Sequence, residues 1–232
     1  LIKGKPMVQW VFEQASKAKS ISEVIVATDD NRILEAVNGF GGNAVMTSAD
    51  HESGTDRIAE VVRDRECEVV VNVQGDEPLI APENIDRVVR PLLENAIEST
   101  VTLRILIKSC EELMDRNVTK VVVDNSNSAL YFSKAPIPWD RDKWGGDSIE
   151  YSSFDPLKSF WYKHIGLYAY RKKFLMGFGS LPDSGLEKIE KLEQLRILEG
   201  GFKIKVVETN IDSIGVDCEA DLAIIEKHLA AV

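Results

Sequence analysis

Two adjacent carboxylates, Asp76 and Glu77, stand where a strongly apolar run of the chain ends. Residues 69–73 are valine apart from one asparagine, which is the composition of a strand buried on both faces. Gly75 gives the chain a flexible step after this strand, and Pro78 ends the run. Carboxylate oxygens at a strand end suit a divalent cation. The alternative interpretation is a solvated acidic turn.

A second polar group precedes a helix that we predict to begin near residue 54. Ser53, Gly54 and Thr55 are small or polar, and Arg57 follows them in the first turn. Main-chain N–H groups at such a helix start suit a polar or anionic ligand. An ordinary N-cap by Ser53 or Thr55 would explain the same residues.

Two later strands also carry polar side chains. The apolar strand predicted at 129–132 leads to the cation Lys134, and the prolines that follow bar it from continuing as a central strand. In the strand predicted at 164–169, period-two alternation places His164 and Tyr168 on one face, with Gly166 between them. A histidine in such a position is also compatible with a purely structural role.

A helix predicted over 186–198 has one apolar stripe, and Glu193 and Gln194 lie beside that stripe. A solvated charged face, with an ion pair between Glu187 and Lys191, would explain most of this helix. Asp217 follows a strand-like segment and precedes the last helix. It can therefore be an N-cap as well as a ligand.

The elements that must position these residues alternate along the chain, which predicts βα units and a mostly parallel, doubly wound sheet. Helices are predicted at 7–19, 31–38, 54–63, from 81, at 186–198 and 219–230, and strands at 23–28, 44–46, 69–74, 99–106, 119–124, 129–132, 164–169 and 203–208. The stretch 134–162 breaks the alternation. It is rich in proline, glycine and aromatic residues, which predicts an excursion or dimerisation arm.

Composition excludes several classes of protein. A net charge of −10 over 232 residues argues against a nucleic-acid partner. No apolar run reaches the length of a membrane span. The three cysteines are odd in number and widely spaced, which favours reduced thiols in a cytoplasmic protein. Since no cysteine and histidine spacing fits zinc, we expect any metal to be one that prefers oxygen ligands.

The phrase Val-Asn-Val-Gln-Gly-Asp-Glu-Pro at 71–78 resembles the CMP-Kdo synthetases, the 3-deoxy-manno-octulosonate cytidylyltransferases. Ser-Gly-Thr-Asp-Arg at 53–57 and Leu-Glu-Gln-Leu-Arg at 192–196 are similar to phrases of the same family. The resemblance implies a three-layer α/β/α Rossmann-like nucleotidyltransferase fold with a mostly parallel mixed sheet and a dimerisation arm. The implied reaction transfers CMP from CTP to the sugar acid Kdo for lipopolysaccharide biosynthesis and releases pyrophosphate.

The resemblance also implies roles for individual residues. It places Ser53, Gly54, Thr55, Arg57, Gln74, Gly75 and Asp76 at the nucleotide. It places Gln74, Lys134, Arg141, His164, Tyr168, Glu193 and Gln194 at the sugar, and Asp76 and Asp217 at a catalytic Mg²⁺. It divides the chain into a nucleotide-binding part (1–133), an arm of a homodimer (134–162) and a sugar- and metal-binding part (163–232).

The chain departs from the family pattern at three places. Lys134 stands where the family has an arginine, and Cys218 and Ala220 replace a threonine and a proline beside Asp217. The family's opening strand and phosphate-gripping loop have no counterpart before the Gly4-Lys5-Pro6 segment, so we expect those elements to precede this sequence. Open alternatives are a modified Kdo such as 8-amino-Kdo, a sialic acid, a guanylyl- or uridylyltransferase, and a non-catalytic nucleotide-binding protein.

Overall fold

The structure is a computed structural model that describes residues 1–51, 53–144, 160–216 and 219–229. In this part of the chain the helices are α1 (Met7–Ala15), α2 (Asn31–Gly39), α3 (Gly54–Val62), α4 (Pro82–Glu94), α5 (Cys110–Met114), α6 (Arg141–Trp144), α7 (Lys172–Leu175), α8 (Gly185–Glu190), α9 (Gln194–Glu199) and α10 (Glu219–His228). The strands are β1 (Val26–Thr28), β2 (Ala44–Met46), β3 (Val69–Asn72), β4 (Thr100–Leu106), β5 (Lys120–Val123), β6 (Ala129–Ser133), β7 (Tyr162–Arg171) and β8 (Lys205–Glu208).

Strand β7 organises the main sheet. It runs antiparallel to β4, and also antiparallel to β3 through its last residues and to β5 through its first residues. Strand β8 adds to β4 in parallel, β6 adds to β5 antiparallel, and β1 and β2 form a separate parallel pair. The predicted α/β fold with a mixed sheet is confirmed. The sequence predicted mostly parallel pairing, but among the described strands only β1–β2 and β4–β8 pair in parallel. The other four pairs are antiparallel, because β7 runs opposite to β3, β4 and β5, and β6 returns beside β5.

Alternation along β7 separates two cores, one on each face of the sheet. Ile165 and Leu167 pack with Ile85 and Val88 of α4 on one face. Tyr168 and its neighbours of the same parity pack with residues of β6 and α9 on the other face. Helices on both faces of a sheet give three layers, as the resemblance implied.

The prediction of a single helix over 186–198 is wrong. Two helices, α8 and α9, replace it, because Lys191 between them adopts a left-handed conformation with φ of 58°. Ile189, which the apolar stripe required to be buried, is 81% exposed. The expected pair between Glu187 and Lys191 is also replaced, since Glu187 holds Arg196 through two hydrogen bonds of 2.7 Å.

The aromatic residues of the predicted arm divide into two groups. Trp144 and Trp161 are buried and stacked, with ring centroids 5.0 Å apart, in a small core of the same chain. Trp139 and Phe160 are 54% and 80% exposed. Residues 145–159 of the arm, including Tyr151 and Phe154, lie outside the described residues. The three-part division at 133 and 162 stays a prediction.

Among the described residues, no helix has the length and apolar character needed to cross a bilayer.

Candidate active site

A cleft of about 400 Å³ opens where β3 ends and the first half of β7 passes. Its wall brings together six of the residues that the sequence predicted for the site: Gln74, Asp76, His164, Tyr168, Glu193 and Gln194. These residues are far apart in the sequence, and the fold brings them together. The cleft is therefore the candidate active site.

The acidic tip after β3 forms the floor of one end of the cleft. Glu77 accepts a hydrogen bond of 2.5 Å from the Ser213 hydroxyl, and burial raises the pKa of the Glu77 carboxyl. The main-chain N–H of Val216 donates to the main-chain oxygen of Asp76 at 2.9 Å. These two bonds tie the loop 213–216 alongside the acidic tip.

Magnesium fits the chemistry of this tip. The Asp76 carboxylate lines the cleft, and carboxylate oxygens are hard ligands of the kind that Mg²⁺ prefers. Asp217 lies outside the described residues, but its neighbour Val216 is bonded to Asp76. Within the described ranges, no three histidine, cysteine, aspartate or glutamate side chains form a cluster able to hold a metal. The shared site of Asp76 and Asp217 stays a prediction.

The polar face of β7 forms the opposite wall. His164 Nε2 lies 3.0 Å from the Thr102 hydroxyl, and burial lowers the pKa of His164 to about 3. The imidazole is therefore neutral at physiological pH, and its ring packs 5.3 Å from the ring of Tyr168. The predicted common face of His164 and Tyr168 is confirmed. A neutral ring of this kind can orient a ligand hydroxyl without adding charge.

Two buried polar atoms at this wall have no hydrogen-bond partner among the described residues. They are the Tyr168 hydroxyl and Glu193 Oε1. Burial raises the pKa of both side chains, because the charged form of each loses its hydration. Buried polar atoms are normally satisfied, so these two atoms are available to bind a polar ligand.

The predicted nucleotide loop lies beside the cleft. Ser53 caps α3 by accepting a hydrogen bond from the Asp56 N–H at 3.1 Å, as the alternative interpretation expected. Thr55 is fully buried, and its hydroxyl donates to Glu193 Oε2 at 2.9 Å. A side chain added at Gly54 would meet open space, which leaves the main chain there accessible to a ligand.

Four other predicted residues do not line the cleft. Arg57 is held by Asp29 at 2.8 Å and by the Thr47 hydroxyl at 2.6 Å. Gly75 and Arg141 are exposed, the latter in α6. Lys134 is partly exposed and borders the segment that leads into the arm.

Several other residues of the cleft had no role assigned from the sequence. Glu77 was recognised with Asp76 as a possible cation ligand, because the acidic pair at a strand end is a signal that the sequence itself carries. Ser213 and Lys163 carry no such signal in the sequence, because the role of a single serine or lysine depends on residues that come near it only in the folded protein. Burial favours a lower pKa for Lys163, but its bonds to Glu112 and Asp212, at 2.8 and 2.9 Å, outweigh burial and raise it.

Comparison with known proteins identifies the family of the chain. The cytidylyltransferase family profile matches residues 1–204. The chain is 52% identical over 227 residues to a 3-deoxy-manno-octulosonate cytidylyltransferase of Geobacter sulfurreducens, covering 97% of this chain and 90% of that protein. It is 48% identical to the protein of the same name from Thermodesulfovibrio yellowstonii, covering 98% of this chain and 89% of that protein.

Solved structures give the same result. A structure of CMP:2-keto-3-deoxy-manno-octonic acid synthetase complexed with CTP matches with a TM-score of 0.88 and 38% identity, over 100% of this chain and 90% of that one. A 4-diphosphocytidyl-2C-methyl-D-erythritol synthase from Anaerococcus prevotii matches with a TM-score of 0.62 and 16% identity, over 99% of this chain and 91% of that one, and shows the fold alone. On the family match and these relatives, the chain belongs to the cytidylyltransferase family.

Proposed function

We propose that this protein transfers CMP from CTP to 3-deoxy-manno-octulosonate (Kdo), producing CMP-Kdo and pyrophosphate for lipopolysaccharide biosynthesis. Relatives about half identical over nearly the whole chain carry this activity in their names, and a structural neighbour was solved with CTP. The observation that carries the proposal is one cleft joining a carboxylate tip to a wall with two unsatisfied polar atoms.

In the proposed reaction, the anomeric hydroxyl oxygen of the sugar acid forms a bond to the α-phosphorus of CTP. The bond from that phosphorus to the bridging oxygen breaks, pyrophosphate leaves, and the hydroxyl proton is lost to solvent. Positioning and charge neutralisation do most of such a transfer. Glu193 Oε1 and the Tyr168 hydroxyl would bind sugar hydroxyls, and neutral His164 would orient another.

The nucleotide would lie across the start of α3. The accessible main chain at Gly54 suits the cytosine base, and Ser53 borders it. Arg57 contributes by holding Asp29 and Thr47 in place rather than by reaching the cleft. Asp76 and Asp217 would hold Mg²⁺, which when bound would neutralise phosphate charge and acidify the attacking hydroxyl.

A nucleotide panel tests the proposal. Purified protein would be incubated with Mg²⁺, Kdo and one of CTP, UTP, GTP or ATP, and pyrophosphate release would be measured. We expect release with CTP that depends on Kdo. Faster release with another nucleotide would make the protein a different nucleotidyltransferase, and Kdo-independent release would remove the sugar acid from the proposal.

A modified sugar acid is the second candidate substrate, and Lys134 is the observation that favours it. An arginine fork holds a carboxylate at two points, whereas an ammonium is a point charge on a flexible stem. If Kdo is the substrate, Lys134→Arg should leave activity unchanged or lower the KM for Kdo. A Lys134→Arg variant that loses its native reaction while gaining activity on Kdo would instead establish 8-amino-Kdo or another modified acid.

We also propose a cytoplasmic homodimer. The exposed Trp139 and Phe160 support an interface on the arm, since aromatic residues are enriched in interface cores. Cys67 and Cys110 are free thiols, which supports a reducing compartment.

A further inference from the structure

The charged end of Lys120 is buried at the junction of three segments. Lys120 is the first residue of β5, and its side chain has no exposed surface. Its ammonium donates to the main-chain oxygens of Asp115 at 2.8 Å, Val118 at 2.7 Å and Lys134 at 2.7 Å. All three donors of the ammonium are therefore used.

The acceptors belong to two segments that flank the candidate active site. Residues 117–119 line the cleft, and the main-chain oxygen of Thr119 accepts a hydrogen bond from the His164 N–H at 2.8 Å. Lys134 follows β6, and its N–H donates to Glu190 at 3.1 Å. Lys120 thus joins the wall beside His164 to the segment that carries the family's sugar-contacting position.

Burying the Lys120 ammonium costs free energy, so we expect the arrangement to serve a function. Burying an ammonium is unfavourable, and burial here lowers the Lys120 pKa. An apolar side chain would fill the same space without that cost. An apolar side chain could not bind three main-chain oxygens, however, and so could not fix the two segments relative to each other.

We propose that Lys120 is a positioning residue for the sugar acid, setting the distance between the 117–119 wall and Lys134. This role rests on the proposed function, because it concerns the sugar side of that same cleft. Lys120 does not touch the ligand. It acts through the main chain of the residues that border the ligand.

Two variants and a matched control test this role. Lys120→Met keeps the length of the side chain and removes its hydrogen-bond donors. Lys120→Arg keeps the positive charge, but it replaces an ammonium whose three donors share one nitrogen with a planar guanidinium. Lys205→Met is the control, because Lys205 is also the first residue of a strand and donates to one main-chain oxygen, of Ser126, at 2.6 Å. KM for Kdo, KM for CTP and the melting temperature would be measured for each.

We expect Lys120→Met and Lys120→Arg to raise the KM for Kdo by about tenfold or more, with KM for CTP unchanged within about twofold. Lys205→Met should leave both constants at wild-type values. If Lys120→Met does not fold, the folded Lys120→Arg variant decides. Unchanged KM for Kdo in a folded Lys120 variant, or equal rises for both substrates, overturns the role. A wild type without activity on CTP and Kdo instead overturns the proposed function itself, and this role with it.

Discussion

Thr55 and Glu193, 138 positions apart in the chain, are joined by a hydrogen bond of 2.9 Å. Thr55 lies in the first turn of α3, beside the predicted nucleotide loop, and Glu193 immediately precedes α9 at the cleft. The bond leaves the second carboxylate oxygen of Glu193 free of any partner among the described residues. One carboxylate therefore links the nucleotide side of the site to the sugar side.

Removing the Thr55 hydroxyl should weaken both stability and sugar binding. Thr55→Val keeps the shape of the side chain but leaves Glu193 Oε2 without its donor, and a lost bond to a charged group costs about 1.5–3 kcal/mol. Thr55→Ser should retain the bond. Urea denaturation and KM for Kdo would measure the two effects. Thr55→Val with wild-type stability and KM would show that the bond has no such role.

Asp76→Ala should abolish activity while leaving the fold intact. Asp76 lies at the cleft and outside the three hydrophobic cores described above. We expect kcat to fall by orders of magnitude, with a melting temperature close to that of the wild type. Mn²⁺ binding, measured by electron paramagnetic resonance, should weaken in the same variant. Wild-type Mn²⁺ affinity in Asp76→Ala would contradict its assignment as a metal ligand.

Protonation of His164 should destabilise the fold as the pH falls. Its pKa is about 3 in the folded protein against 6.5 for the free side chain, so between these values only the unfolded chain binds the proton. His164 therefore contributes full stability above pH 6.5 and loses up to about 1.4 kcal/mol per pH unit below it. The raised pKa values of Glu77 and Glu193 act in the opposite direction.

A comparison with His164→Gln isolates this contribution from that of the carboxyls. Glutamine can still bond the Thr102 hydroxyl but does not titrate. The free energy of unfolding, measured between about pH 6.5 and pH 5, should fall by about 1–2 kcal/mol more in the wild type than in the variant. Parallel curves for the two proteins would show that His164 is not held neutral by the fold.

The proposed dimer predicts a light-scattering mass of two chains at micromolar concentration. Phe160→Ser should shift the protein toward monomer, because Phe160 is 80% exposed and its ring would be part of the interface. Phe202→Ser is the matched control, since Phe202 is also exposed, at 44%, but is not one of residues 134–162. A wild-type monomer would contradict the dimer, and an equal shift in both variants would remove the arm from the interface.

Much of the fold and part of the site were predictable from sequence, for identifiable reasons. The apolar valines before Asp76 and the alternation around His164 report burial directly, so β3 and the polar face of β7 were found. The helix break at Lys191 was not, because its left-handed conformation is one that glycine normally adopts, and nothing in the local sequence marks a lysine for it.

The remaining residues of the cleft depend on contacts that no local pattern encodes. Ser213 meets Glu77 across 136 positions, and Lys120 meets Lys134 across 14. A buried lysine at the start of a strand resembles any exposed lysine in the sequence. Its role emerges only when the three carbonyl groups around it are known.

In the proposed reaction, CMP is transferred to the anomeric oxygen of Kdo. This transfer is tested most directly by mass spectrometry and ³¹P nuclear magnetic resonance of the product formed from CTP, Kdo and Mg²⁺. We predict a single new phosphodiester species with the mass of CMP-Kdo, formed in equal amount with pyrophosphate and absent with Asp76→Ala. Release of pyrophosphate without CMP-Kdo, or no turnover of CTP by the wild type, would contradict it.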